Sequence, residues 1–392
     1  MIKNSVPKII LSALLLLNLT GIIEAADLSI FKQSESREIS AIGSEELYIS
    51  APQNISGEVK FAVGDGNSVY ADIEYVGKAE NYEEFKWFKD LITMKIAKEG
   101  KQSAIIITTP DNAPWEGLDK SVVLNMSFRM PSSMKIKIKA RFHSIEVNGH
   151  FKGLEVDNDY GEVIAEKVDG DIDIRTSYKP VIINNINGYV NIQNHSGDII
   201  ARNIAEGERK CNFETTYGKI VLEKIYGGFK AATSYKPIML KQIDSKDGII
   251  KVSDSYGKIN INKFSGLLDL KTEFSDIEGE DLDFSEGSSK ISNSFNSITL
   301  KNLRLNRSEL MIDNSFADVS ISLNGNSSVH FILSTGEGGA IHIKGMSVKP
   351  IAISYNSFEG ITGKGDSELK VNIQGIGRIN ITGTSSKRGK SY

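Results

Sequence analysis

The hydrophobic pattern changes character along the chain. From Asp27 to about Pro131 apolar and polar residues alternate, and Leu47-Tyr48-Ile49, Val59 to Val63, Val69 to Ile73 and Ile105 to Ile107 read as strands. Gly57, Gly64-Asp65-Gly66, Gly77 and Gly100 punctuate them as turns. One stretch departs from this: Tyr82, Phe85, Phe88 and Ile92 fall at helical spacing, which predicts a short amphipathic helix within Glu80 to Ile92. Trp87 and Trp115 read as packing residues at the edge of this segment.

From about Ile136 to Leu323 a short phrase returns. It reads Asn158-Asp159-Tyr160-Gly161, then Thr176-Ser177-Tyr178-Lys179, Thr215-Thr216-Tyr217-Gly218, Thr233-Ser234-Tyr235-Lys236 and Asp254-Ser255-Tyr256-Gly257. The ring then becomes Phe274, Phe295 and Phe316; Phe142 opens the series and Ser196 fills the aromatic position once. Successive steps are 18 or 21 residues. A fixed period near twenty with several short strands in each predicts a solenoid.

Counted from the aromatic as zero, positions six and four before it are apolar, as in Leu154 and Val156, Ile172 and Ile174, or Cys211 and Phe213. The residue between is polar: Glu155, Asp173, Asn191, Asn212. Positions three and five after it are again apolar, as in Val163 and Ala165 or Ile220 and Leu222. Alternate residues of a strand share a face, so each rung is two short strands joined by a corner at the aromatic. A second corner is predicted at Gly170, Gly188, Gly227, Gly248, Gly266 and Gly287, where a turn with positive φ favours glycine. The longer steps must place their extra residues in a turn, as near Glu206-Gly207-Glu208.

The column two before the aromatic holds Asn158, Thr176, Asn194, Thr215, Thr233, Asp254, Thr272, Asn293 and Asn314. Parity points it inward. Stacked at roughly 4.8 Å, these side chains are expected to hydrogen-bond to one another along the stack, beside a ladder of the rings Tyr160, Tyr178, Tyr217, Tyr235 and Tyr256. After Phe316 the phrase loosens, and Ser334-Thr335-Gly336, Asn356-Ser357-Phe358 and Gly375 to Ile379 read as further, degenerate turns. The expected organisation is therefore all-β: a signal segment at 1–25, a β-rich cap with a short helix at 26–131, regular parallel β-helix-like rungs of 18–21 residues at 132–323, degenerate rungs at 324–384 and a tail at 385–392. Ten or more rungs give a rod on the order of 50 Å long.

The signal follows from Lys3 and Lys8 before an apolar run, with Ile23-Glu24-Ala25 at a cleavage point. The run is interrupted by Asn18 and Thr20 and falls short of the roughly 20 residues of a bilayer span. No later segment is apolar enough to span a membrane, no cysteine follows the run to carry a lipid, and no hydrophobic tail closes the sequence. An exported product is expected, in the periplasm or outside the cell, free or held by a partner. With 46 basic against 50 acidic residues there is no electrostatic footprint for nucleic acid. The single cysteine, Cys211, excludes an intramolecular disulfide and lies in an inward column, as an inert core thiol.

Candidate chemistry is sparse. Enzymes built on stacked β-coils need carboxylates converging on one outer face. Glu155 and Asp173, on adjacent rungs near Asp157, Asp171 and Arg175, are the best such group, a carbohydrate site if any. The bland reading is an exposed Asp157–Arg175 ion pair of little worth. His143, His150, His195, His330 and His342 show no metal-ligand spacing. Asp169-Gly170-Asp171-Ile172-Asp173 lacks the continuation of a calcium loop. No catalytic, cofactor or metal residues are assigned.

Met126-Ser127-Phe128-Arg129-Met130-Pro131, the alternation from Met134 to Ala140, Ile145 to Gly149 and the Tyr-Gly repeats together resemble the bacterial putative adhesin family of exported β-strand-repeat proteins, relatives of autotransporter adhesin head domains. The resemblance covers roughly Asp27 to Leu323 and implies an exported, noncatalytic solenoid; the expected role is adhesin-like binding or scaffolding at the cell envelope, with a protein or glycan as partner, through broad mixed-polarity faces rather than a pocket. The chain departs from that family in its long array, the helical insertion around Phe85 and the absence of a visible anchor. The alternatives are a polysaccharide lyase or hydrolase acting through Glu155 and Asp173, and a periplasmic structural or regulatory partner.

Overall fold

The computed structural model describes residues 28–116, 119–205, 209–324 and 327–384. The expected signal at 1–25, the tail from 385 and the insertion at 206–208 lie outside the described residues. The protein is all-β: among the described residues 31 strands form one large open sheet, with the helix Tyr82–Asp90 beside it. Asn81 caps that helix by accepting from Glu84 N, and Phe85 and Phe88 are its buried face.

From Lys135–Ala140 to Ile220–Tyr226 each strand pairs not with its neighbour in sequence but with the next strand but one. Gly153–Asn158 runs parallel to Asp171–Thr176, setting Leu154 against Ile172 and Val156 against Ile174. Val163–Glu166 runs parallel to Val181–Ile186 in the same way. Repetition of this register makes two parallel ladders, and each rung gives one strand to each. The inward columns close the space between them: Ile172, Ile174, Val181 and Ile183 are fully buried. One continuous apolar cluster runs from Ile39 to Ile381.

The second corner is built differently from expectation. Of the six glycines read as positive-φ positions, Gly227, Gly266 and Gly287 have that conformation, while Gly170, Gly188 and Gly248 do not. Gly170 is needed for another reason: a Cβ there would lie 1.7 Å from Lys152 O on the previous rung. Positive φ is instead carried by Lys167, Asn185, Asn203, Lys224, Gln242, Lys263, Asp281 and Asn302, all between 51° and 61°. Each lies seven residues after the aromatic position. One left-handed residue shifts the parity of its strand, so the residue after it turns inward. Val168, Ile186, Ile204, Ile225, Ile243, Phe264, Leu282 and Leu303 thereby form a third buried column.

Both ends depart from chain order. Glu46–Ser50 pairs with Lys135–Ala140 on one side and Gln102–Thr108 on the other, and Ser56–Val63 pairs with Phe142–Asn148 and Ser121–Met130. The segment expected as a cap thus adds two rungs, the earlier in sequence lying inside the later. Antiparallel strands then close this end, Thr93–Glu99 on one ladder and Ser68–Ala79 with Ser29–Ser40 on the other. At the far end Ser367–Ile373 is inserted between Ser308–Asn314 and Val329–Thr335, and Arg378–Thr384 between Val319–Asn324 and Ala340–Lys344. The turns read there as following in order are therefore exchanged in space. Ser357–Ile361, which contains Phe358, is no rung; it pairs antiparallel to Val329–Thr335 and to Lys349–Ile353.

Candidate functional site

The corner column is inward, as its parity requires; Asn158 and Asn314 are 1% exposed. Its hydrogen bonds, however, do not run from side chain to side chain. Asn158 Nδ2 donates to His143 O of the previous rung and to Gly161 O of its own corner. Asn194 donates to Lys179 O and accepts from Gly197 N. Thr215 Oγ1 donates to Gly197 O and accepts from Gly218 N, and Thr233 donates to Gly218 O. Asn293 and Asn314 repeat the double donation, to Ser275 and Asn296 and to Asn296 and Ala317. A tight corner leaves backbone groups without a ladder partner, and these are the nearer ones to satisfy. Thr176 Oγ1 finds no partner within this network.

Asp254 breaks the pattern chemically. Its Oδ1 accepts from Tyr256 N and Gly257 N, but Oδ2 is buried without a partner. Burial pushes its carboxyl up to about 6 against the pull of these backbone donors.

Outside this column the rings stack face to face. Phe142, Tyr160 and Tyr178 form one run with centroids 4.9 and 4.6 Å apart. Tyr217, Tyr235, Tyr256, Phe274, Phe295 and Phe316 form another at 4.9–5.5 Å. Interplanar angles stay at or below 17° in both runs. Rings within a run cover one another's faces and present their edges to solvent; Tyr256 is 54% exposed. The ridge is interrupted at Ser196, where His195 meets Tyr217 edge-on at 5.4 Å.

Beside the ridge runs a groove of about 700 Å³, from Arg175 and His195 to Lys271 and Glu273. Thr216, Ser234 and Ser255, one from each of three successive rungs, line it with hydroxyls, and Gln193 and Glu214 add polar groups. Its lining comes largely from the three positions before the aromatic on successive rungs, and the composition of those columns does not record that they form a groove.

The outer carboxylates are brought together as a paired surface. Glu155 and Asp173 are opposite one another in register. Glu155 is bonded to Lys137 at 2.8 Å, and Asp173 to Arg175 at 3.1 Å and Asn191 at 3.0 Å. Arg175 faces Asp157 across the ladder, yet its ion pair is with Asp173 on its own strand, which replaces the expected Asp157–Arg175 pair. Asp171 is bonded to Arg209. Among the described residues no three His, Cys, Asp or Glu side chains gather as metal ligands. Cys211 is a buried free thiol whose ionisation burial pushes up. Trp115 is buried and donates to Asn54 O at 3.1 Å, whereas Trp87 is 51% exposed with its ring 5.5 Å from that of Phe88. Among the described residues no helix is long and apolar enough to cross a membrane.

No family model matches the chain, and no curated protein matches its sequence. Among solved structures, a putative cell adhesion protein from Clostridium sporogenes is 11% identical, with 90% of this chain and 100% of that one covered and a TM-score of 0.22. A putative adhesin from Bacteroides fragilis is 11% identical over 72% of this chain and 97% of its own, with a TM-score of 0.26. A putative lipid binding protein from Parabacteroides distasonis is 12% identical over 90% and 97%, with a TM-score of 0.21. Superpositions this loose say nothing of what the present chain binds.

Proposed function

We propose that this chain is an exported, noncatalytic β-solenoid that works as an adhesin-like binding protein of the cell envelope, gripping an extended polymer along its axis. The groove carries the reading. It spans successive rungs, is lined by hydroxyls, amides and mixed charges, and ends one position before the exposed rings on those rungs. Such a surface suits a long ligand held by many modest contacts, whereas a small-molecule site is concave and mostly apolar. The carboxylates that a glycan-cleaving enzyme would use support the noncatalytic reading, since Glu155 and Asp173 each sit in an exposed ion pair.

The test is retention of the purified chain on isolated envelopes of the producing cells, beside a Ser234→Trp variant that blocks the groove. Retention of the wild type and its loss in the variant is expected; equal retention would move binding elsewhere on the surface. Protease shaving of intact producing cells, with a lysed control, tests placement: loss of the chain from intact cells is expected, and survival until lysis would confine it to the periplasm.

A further inference from the structure

The two ladders stop at different heights. At the end that holds the helix, antiparallel strands close both ladders, and Phe85 and Phe88 are fully buried there. At the far end the last shared rung is Val329–Thr335 with Ala340–Lys344. Beyond it the ladder of Gly153–Asn158 continues through Ser357–Ile361 to Lys349–Ile353. The other ladder stops: among the described residues Ala340–Lys344 pairs only with Arg378–Thr384. The array therefore ends in a step two strands high, with a bare strand edge at its foot and another, Lys349–Ile353, at its top.

The inner face of this step is apolar and uncovered. Phe358 stands opposite the buried Leu333, and Ile353 stands opposite Phe358. Directly opposed residues of neighbouring strands share a face. Ile353 therefore points where the core would continue, yet it is 71% exposed. Ile341 and Ile343 prolong the buried columns of Ile379 and Ile381 but are themselves only half-buried. Met346 and Val348, on the connection that climbs the step, pack against the core and cover only part of the face.

We infer that this step is the docking surface for a second copy of the chain, joined end to end. The step is its own complement. A two-fold axis along the strand direction carries the overhang of one copy into the notch of the other, and symmetry supplies the reverse contact. Lys349–Ile353 is antiparallel to Ser357–Ile361, which is antiparallel to Val329–Thr335, so the overhang runs toward the corner. Ala340–Lys344 runs back from it. The overhanging strand of one copy thus lies antiparallel beside Ala340–Lys344 of the other, and each bare edge is covered. Phe358 of each copy then faces Ile353 of the other and closes the core. Pro350 and the bulge after it guard the overhang against strands of arbitrary register. A closed two-fold contact also leaves no edge for a third copy.

The size of the step fits. Its two edges and inner face, built on five-residue strands, present roughly 16 by 30 Å at the usual strand rise, strand spacing and sheet thickness. That is on the order of 500 Å² for each copy and about 1,000 Å² together, where specific interfaces begin. The same axis keeps the aromatic corners of both copies on one side of the joint.

Sedimentation equilibrium of the purified chain at up to about 100 μM tests this, and twice the chain mass is expected. Ile353→Asp alters a side chain that is exposed in the single copy, so the melting temperature at high dilution should match the wild type. The dissociation constant should rise about a hundredfold or more, because each interface meets the charge twice. Ile30→Asp, at the opposite end and 70% exposed, should leave the dimer unchanged. A monomeric wild type, a dimer that survives Ile353→Asp, or one broken by Ile30→Asp overturns the interface. A chain ending at Thr384 should dimerise as the wild type does. Dimerisation only after that removal would seat residues 385–392 in the notch and overturn the proposal as well.

Discussion

Two buried ionisable side chains act in opposite senses on stability. Asp254 stands in a column where asparagine donates to the corner carbonyl of the previous rung, but an ionised carboxylate has nothing to donate. Its native carboxyl is raised to about 6 from 3.8, so the native state binds the proton more tightly. The associated stability is therefore fully present below pH 3.8 and is lost as pH rises through about 6, by about 3 kcal/mol. His143 is wholly buried with both ring nitrogens unpartnered, and burial lowers it to about 4 from 6.5. Its contribution is present above pH 6.5 and falls by about 3 kcal/mol as pH drops through about 4. Denaturant unfolding at a series of pH values should show Asp254→Asn more stable than wild type by about 2 kcal/mol at pH 7.5. That advantage should vanish near pH 4. His143→Leu should show the mirror trend, its stability relative to wild type rising as pH falls from 6.5 to 4. A pH-independent difference for either variant would mean that its ionisation is not coupled to folding.

At the scale of a rung, the corners are fixed by two distinct backbone demands. Gly161 allows close approach: a Cβ there would lie 1.7 Å from His143 O. Gly161→Ala should therefore force the rungs apart and cost about 3 kcal/mol or more, by the measure of strain at over-determined positions. Lys224 is the converse case, a left-handed residue at φ 56° with an exposed side chain. Lys224→Gly should gain about 0.5 kcal/mol, the relief of left-handed strain less the entropy of glycine. Lys224→Val should instead lose about 1–2 kcal/mol. Thermal melts of the three variants check both, and equal effects at the two positions would contradict the assignment.

These corners also explain what could be read from the chain and what could not. The columns of Ile172 and Ile174, or Val163 and Ala165, announce themselves because simple alternation survives within each strand. The third buried column, with Ile186 and Ile204, is hidden by the parity shift at Asn185 and Asn203. The aromatic positions are plain in sequence, but their stacked and edge-exposed state depends on the register of successive rungs. The groove is lined by columns that the sequence shows, but their composition does not record that they form one.

At the scale of the molecule, the two ladders contain fourteen parallel strands each among the described residues, so the ends of that parallel stack lie about 60 Å apart at the usual strand spacing. The exchanged order at both ends was not legible, because Val329–Thr335 and Ser367–Ile373 are equally good strands and only long-range pairing ranks them. A chain ending after residue 366 lacks both inserted strands, and Val329–Thr335 and Ala340–Lys344 then have no parallel neighbour. Val329–Thr335 keeps its antiparallel partner Ser357–Ile361, so hydrogen exchange of that truncation should show lost amide protection over residues 340–344, with 153–305 unchanged. Retained protection at 340–344 would mean that this strand docks directly on Val319–Asn324.

The inserted strands also decide how the array meets mechanical load. A tug applied beyond Thr384 reaches Arg378–Thr384, which is hydrogen-bonded along both edges. It cannot be peeled away as an outermost strand would be. Two rows of bonds must give together, so tension arriving from that side is shared by three strands at once.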